Sequence, residues 1–130
     1  MKKLTIETTR KVQLIDITAL VRDTIESSDV GALACLVYSP HTTVGITINE
    51  HADPAVAEDM IAALEEIVPE DRPWRHREGN SPAHVKASLV GSSALVSLED
   101  GRLALGTWQG VFLCEFDGPR IREVWLKLLG

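Results

Sequence analysis

Val111-Phe112-Leu113-Cys114-Glu115-Phe116-Asp117-Gly118-Pro119-Arg120-Ile121-Arg122-Glu123-Val124-Trp125-Leu126-Lys127-Leu128 is the stretch on which the fold class of this 130-residue chain turns. A near-continuous apolar run ends at the turn signal Asp117-Gly118-Pro119, and a second run follows. The second run sets Ile121, Val124 and Leu126 against Arg122, Glu123 and Lys127, with a slip in phase near Glu123. Alternation of this kind marks a strand with one buried face. Two shorter runs, Ala94–Leu98 and Leu103–Leu105, come before it, bounded by Asp100-Gly101 and by Gly106 to Gly110. The C-terminal third therefore reads as strands joined by glycine-bearing turns.

Working toward the N-terminus, Leu4–Thr9 and Val12–Ile15 are short and rich in β-branched residues, as strands are. Asp16 or Thr18 can cap a helix from Ile17 to Ser27, which Ser28-Asp29-Val30-Gly31 would end. Ala32–Tyr38 is almost wholly apolar and reads as a strand covered on both faces. Thr43–Asn49 is a further strand, and its Gly45 points to a bulge or a close backbone approach. Asp53-Pro54 opens a helix, with Val56, Met60, Leu64 and Ile67 at helical spacing. Pro69–Pro82 has no period and is expected to be a functional loop. Ser81-Pro82 repeats the cap-plus-proline signal before a short helix over Ala83–Val90. Strands interrupted by two or three helices predict an α+β fold: one domain over residues 1–130, a mainly antiparallel sheet, and helices on one side of it.

The hydrophobic fraction of 45% and charged fraction of 25% are those of a globular chain. A formal net charge of −6 speaks against a nucleic-acid binder, which needs cations to neutralise phosphates. Arg72, Arg75, Arg77, Lys86 and Arg120 could still form a local positive pocket for a small anion. Lys2 and Lys3 have no apolar run behind them, and nothing reaches the roughly 20 apolar residues of a membrane span. Cys35 and Cys114 lie in apolar runs with no CxxC motif, so free buried thiols in a reducing cytoplasm are expected, with a disulfide as the alternative.

Of the four histidines, His41, His76 and His84 fall at breaks between elements, where side chains from distant segments converge. Three such ligands could hold a divalent ion, although their spacing fits no tight metal motif and histidines are more often structural. Asn49 and Glu50 end a strand at the start of a helix, where they either hold a ligand or satisfy local backbone groups. Lys86, in the first turns of the helix after Ser81, could help that helix start bind phosphate, or be solvated. Thr107, Trp108 and Gln109 sit between two glycines in a turn, either offering polar groups to a ligand or packing Trp108 on the core. Glu115 lies in an apolar strand: a raised pKa would make it an acid or base, and a partner such as Arg120 or Arg122 would make it structural.

His41-Thr42-Thr43, Ile48-Asn49-Glu50 with Asp53, His76 with Gly79-Asn80, and Pro82-Ala83-His84-Val85-Lys86-Ala87-Ser88-Leu89 together resemble the YjbQ-like family. Leu105-Gly106-Thr107-Trp108-Gln109-Gly110 and Glu115-Phe116-Asp117-Gly118-Pro119-Arg120 are similar to its C-terminal signature. His51 departs from the pattern, which more often has Asn there. The resemblance implies an α+β homotrimer with polar pockets near the subunit contacts. It also implies secondary thiamine-phosphate synthase activity, joining hydroxymethylpyrimidine diphosphate to thiazole phosphate with release of pyrophosphate. On this sequence it implies His41, Glu50, His84 and Glu115 as catalytic groups. Asn49, Lys86, Thr107, Gln109 and Arg120 would bind the phosphorylated substrate, and His41, His76 and His84 would hold a divalent metal, Zn or Mg. Two other readings stand beside this one: a non-catalytic trimer that binds a phosphorylated metabolite or metal, and histidines that only knit a trimer interface.

Overall fold

Backbone pairing joins the two ends of the chain, and the order of elements shows how. The computed structural model describes residues 1–26 and 31–130. Its elements are β1 (Lys2–Glu7), β2 (Gln13–Asp16), α1 (Thr18–Glu26), β3 (Ala34–Tyr38), β4 (Val44–Glu50), α2 (Pro54–Ile67), α3 (Ser81–Val90), β5 (Ser93–Glu99), β6 (Arg102–Leu103), β7 (Gln109–Glu115) and β8 (Ile121–Leu129). The predicted end of the first helix at Ser28-Asp29-Val30 lies outside the described residues. The α+β class holds, with antiparallel pairing throughout, but the strands form two sheets. One runs β1-β8-β3-β5-β6 and the other β2-β7-β4.

The opening run of β7 is apolar on successive residues because both of its faces are covered. Val111 and Leu113 join a core shared by both sheets and α1, with Ile17, Val37, Ile46 and Val124. Phe112 and Cys114 face the other way, against Ala83 and Ala87 of α3 and Leu64 of α2. Successive strand side chains point to opposite faces, so one strand serves two cores. The helices are therefore not all on one side, as the sequence suggested: α1 belongs to the inner core, and α2 and α3 cover the outer face of the smaller sheet. The predicted strand Leu103–Leu105 shrinks to the two residues of β6.

Local signals set the helix starts. Asp53 Oδ1 accepts from the Ala55 N–H at 3.0 Å and Pro54 begins α2. Asp16 Oδ1 accepts from the Thr18 N–H at 3.0 Å and also from the Thr18 hydroxyl, which caps α1. Gly45 marks a close approach: a Cβ there would lie 2.7 Å from Val90 Cγ1, at the end of α3.

Cys35 and Cys114 are free and buried, and they sit in the two different cores. Burial raises both thiols, that of Cys114 to about 12, because the thiolate is poorly solvated there. Neither is expected to react with an aromatic disulfide reagent in the native protein at mildly alkaline pH, whereas both react after denaturation. A fast native reaction at either cysteine, followed by absorbance, would contradict this burial.

Candidate functional site

Three segments bring the histidines together at one end of the smaller sheet. His41 follows β3, His76 lies in the loop before α3, and His84 is on the first turns of α3. They line a cleft of about 440 Å³ with Thr43, Glu78, Asn80, Asp117, Arg120 and Arg122. A second hollow of about 590 Å³ lies beside it and shares His41 and His84, reaching Tyr38 and Ser88. The His76 and His84 rings meet edge to face, 5.4 Å between centroids and 89° between planes. Gly79 makes the turn that presents His76: its φ of +76° suits glycine, and its N–H reaches the His76 carbonyl at 3.2 Å.

Asn80 is the unusual member. It stands at the N-cap of α3 but gives its side chain to another task, donating from Nδ2 to Asp117 Oδ2 at 2.9 Å. That contact fixes which end of the amide is nitrogen, so Oδ1 is the remaining acceptor. Asn80 Oδ1 is buried and has no hydrogen-bond partner. Such an acceptor costs about 1–3 kcal/mol unless a donor reaches it. Arg120 shares Asp117 with it, held by Nε to the Asp117 carbonyl at 2.8 Å and by Nη2 to Asp117 Oδ2 at 3.0 Å. Its Nη1 is left for a ligand.

Behind the cleft lies a buried ion pair. Arg122 donates from Nε to Glu115 Oε1 at 2.8 Å, from Nη2 to Glu115 Oε2, and from Nη2 to Thr43 Oγ at 2.7 Å. Glu115 is 0% exposed and also accepts from the Thr8 hydroxyl at 2.8 Å and the Asp117 N–H at 3.0 Å. Burial alone would raise its carboxyl, but the Arg122 bonds and the other donors outweigh it, and the group is held below the usual glutamate value. The raised pKa that would make Glu115 an acid or base is therefore absent; its partner is Arg122, not Arg120.

His41 Nε2 accepts from the Glu123 N–H at 2.9 Å. The neutral ring then carries its proton on Nδ1 and acts as a donor. Burial, then the nearby Arg122 charge, lowers its pKa despite opposing contributions from Glu115 and Glu123, so it stays neutral. His41 could bind an ion through Nδ1 only by giving up the contact to Glu123, and among the described residues no three His, Cys, Asp or Glu side chains are grouped to hold one.

The other expected site residues lie elsewhere. Asn49 and Glu50 end β4, whose start adjoins the cleft; six residues of strand carry them roughly 20 Å away. Asn49 Oδ1 accepts from the Glu50 N–H at 2.7 Å, a local contact. Glu50 instead lines a hollow of about 330 Å³ with Asp16 and His51, where His51 Nδ1 and Asp16 Oδ2 are 2.9 Å apart. Thr107 and Gln109 belong to that same end, since Gln109 pairs with Glu50 across the ladder and its Oε1 accepts from the Gly106 N–H at 2.8 Å. Trp108 is 63% exposed, not packed on the core. Lys86 is buried on the far side of α3 from His84, because two residues turn a helix through about 200°. Asn80, Asp117 and Arg122 are members that residue-by-residue reading missed. Asn80 sits just ahead of the Ser81-Pro82 helix signal, and Arg122 marks the slip in the alternation of β8.

A two-sheet α+β chain with a polar, histidine-lined cleft is the class that fold and site define. The family model of the UPF0047 protein YjbQ-like family matches residues 2–130. The chain belongs to that family. It is 50% identical to the UPF0047 protein YugU of Bacillus subtilis, across 100% of this chain and 99% of that one. It is 48% identical to the UPF0047 protein MJ1081 of Methanocaldococcus jannaschii, across 98% and 93%. Among solved structures, a YjbQ/UPF0047 protein of Clostridium acetobutylicum superposes with a TM-score of 0.96 at 46% identity, covering 99% of this chain and 100% of that one. A Sulfolobus solfataricus relative, described as of unknown function, gives 0.94 at 33% identity, covering 99% and 95%.

Proposed function

We propose that the cleft between His41, His76 and His84 binds a phosphorylated heterocycle and carries out the transfer that the family resemblance implies. The unpartnered acceptor Asn80 Oδ1, in a cleft that Arg120 also lines, carries this reading: together they suit a ligand offering both a hydrogen-bond donor and an anion. An aminopyrimidine diphosphate has both. In the reaction, the thiazole nitrogen attacks the pyrimidine methylene, a C–N bond forms, the C–O bond to the diphosphate breaks, and pyrophosphate leaves. That nitrogen carries no proton, so no general base is required, which suits a Glu115 locked to Arg122 and a Glu50 at the far end of β4. Catalysis then rests on orientation and on charge at the leaving oxygens, from Arg120 and the His41 Nδ1–H. The two adjoining hollows that share His41 and His84 suit two substrates side by side.

Assembly as a homotrimer belongs to the same proposal and would cover exposed apolar residues such as Ile121, next to Arg120, which is 71% exposed. So does a cytoplasmic setting, with which two free thiols accord. Among the described residues no helix is long and apolar enough to cross a membrane.

The test is thiamine phosphate formation from the two purified substrates. Wild-type protein is expected to turn over, and Arg120→Ala to lose at least tenfold in kcat/KM while its melting temperature holds. A wild type that binds the diphosphate tightly without turnover would favour the second reading, a non-catalytic binding protein, which the same orphaned acceptor supports. No binding of either substrate would overturn both.

A further inference from the structure

We propose a second ligand site, built on Lys86 and separate from the histidine cleft, that takes a small aliphatic zwitterion with its carboxylate inward and its ammonium outward. Lys86 is 1% exposed and is the largest fully buried side chain among the described residues. Among the described residues its side chain has neither a hydrogen-bond nor an ion-pair partner, and Nζ, which is not among the buried unpartnered polar atoms, keeps contact with solvent. An ammonium whose stem is buried and that has little solvent and no counter-charge gains from a ligand carboxylate.

The side chain lines a cavity of about 540 Å³ between α2, α3 and the segment before β2. Its walls include Val12, Ile61 and Val68; Val68 is 3% exposed. Glu65, Glu70 and Asp71 are exposed and form the mouth. Glu70 is already paired with Lys11 at 3.1 Å, which leaves Glu65 and Asp71 as free negative charge. The cavity thus has a cation at its base, apolar walls, and anions at its rim.

That ordering selects the ligand. A plain anion reaching Lys86 would pass and remain near two carboxylates, and a plain cation would leave Lys86 unpaired. A molecule with a carboxylate, an aliphatic body and an ammonium satisfies all three zones, and the volume lies within the range of small-molecule pockets, roughly 300–1,000 Å³. The site stands independently of the transfer reaction proposed for the cleft.

The probes are ε-aminocaproate, its amine-free analogue caproate, and leucine, titrated against the full chain while the methyl NMR signals of Val12, Ile61 and Val68 are followed. Saturable shifts with ε-aminocaproate are expected, with caproate at least tenfold weaker and leucine, whose charges are not separated, weaker too. Lys86→Met keeps the aliphatic stem and removes the charge, a change buried sites usually tolerate; it should weaken ε-aminocaproate at least tenfold. Ile61→Trp fills the cavity without touching Lys86 and should do the same, and it decides the matter if Lys86→Met does not fold. The proposal is overturned if ε-aminocaproate gives no saturable shift, if it binds both variants as it binds wild type, or if caproate binds equally well.

Discussion

Arg122→Ala is expected to destabilise the protein by about 3–5 kcal/mol, the cost of leaving one member of a buried ion pair alone. Glu115 would remain at 0% exposure, keeping Thr8 and Asp117 as donors but no cation. The pH dependence gives a sharper signature. In wild type the Glu115 carboxyl titrates below its unfolded value. Its contribution is thus fully present above about 4.3 and lost as pH falls through the folded value. Without Arg122, burial dominates and pushes the carboxyl above its unfolded value, which reverses the sign. The variant should then gain stability relative to wild type on acidification. Urea unfolding across a pH series measures both. A loss below about 1 kcal/mol, the scale of exposed pairs, would mean the pair is not sealed from water.

Gly45→Ala has the next largest expected effect, about 1–3 kcal/mol of overpacking. The new methyl would meet Val90 Cγ1 at 2.7 Å, Val90 Cβ at 2.9 Å and the Gly91 carbonyl at 3.2 Å. A β-branched side chain and a backbone oxygen have little room to give. The contact lies at the C-terminal end of α3, and the Ile46 N–H bonds the Gly91 carbonyl at 2.9 Å across the same seam. Relief must come from moving α3, which carries His84 and ends the wall of the cleft. The variant should therefore melt lower and also show displaced His84 resonances. An unchanged melting temperature would show that α3 is free to shift.

Local chemistry made several elements readable from residues alone. Asp53-Pro54 begins α2 because a cap and a proline act within one turn, and that prediction needed no knowledge of the rest of the chain. At α3 the proline signal held, but Ser81 is already helical and the N-cap is Asn80, without a side-chain cap bond. Convergence of His41, His76 and His84 was also legible, because each falls at a break. What could not be read was the direction and partner of each side chain. His84 and Lys86 are two residues apart, and helical rotation sends them to different cavities. Asn49 and Glu50 are close to His41 in sequence, but an extended strand carries them to the other end of the sheet. The apolar run of β7 signalled burial on both faces without saying that the two faces belong to different cores. Glu115 offered two arginines within seven residues, and the choice of Arg122 over Arg120 depends on which way β8 faces.

The pairing of β1 with β8 and of β2 with β7 has a consequence for how the chain comes into being. β1 and β2 have their partners far downstream, in β8 and β7, so neither pairing can form until those strands have been made. Closing such long loops is slow, and a fold of this kind belongs with those that form in milliseconds to seconds. During that wait β3 lacks its β8 neighbour and β4 its β7 neighbour. A nascent chain of this protein is thus a natural client for chaperones, and a truncation that removes only β8 should leave β1 without a partner strand and β3 paired with β5 alone.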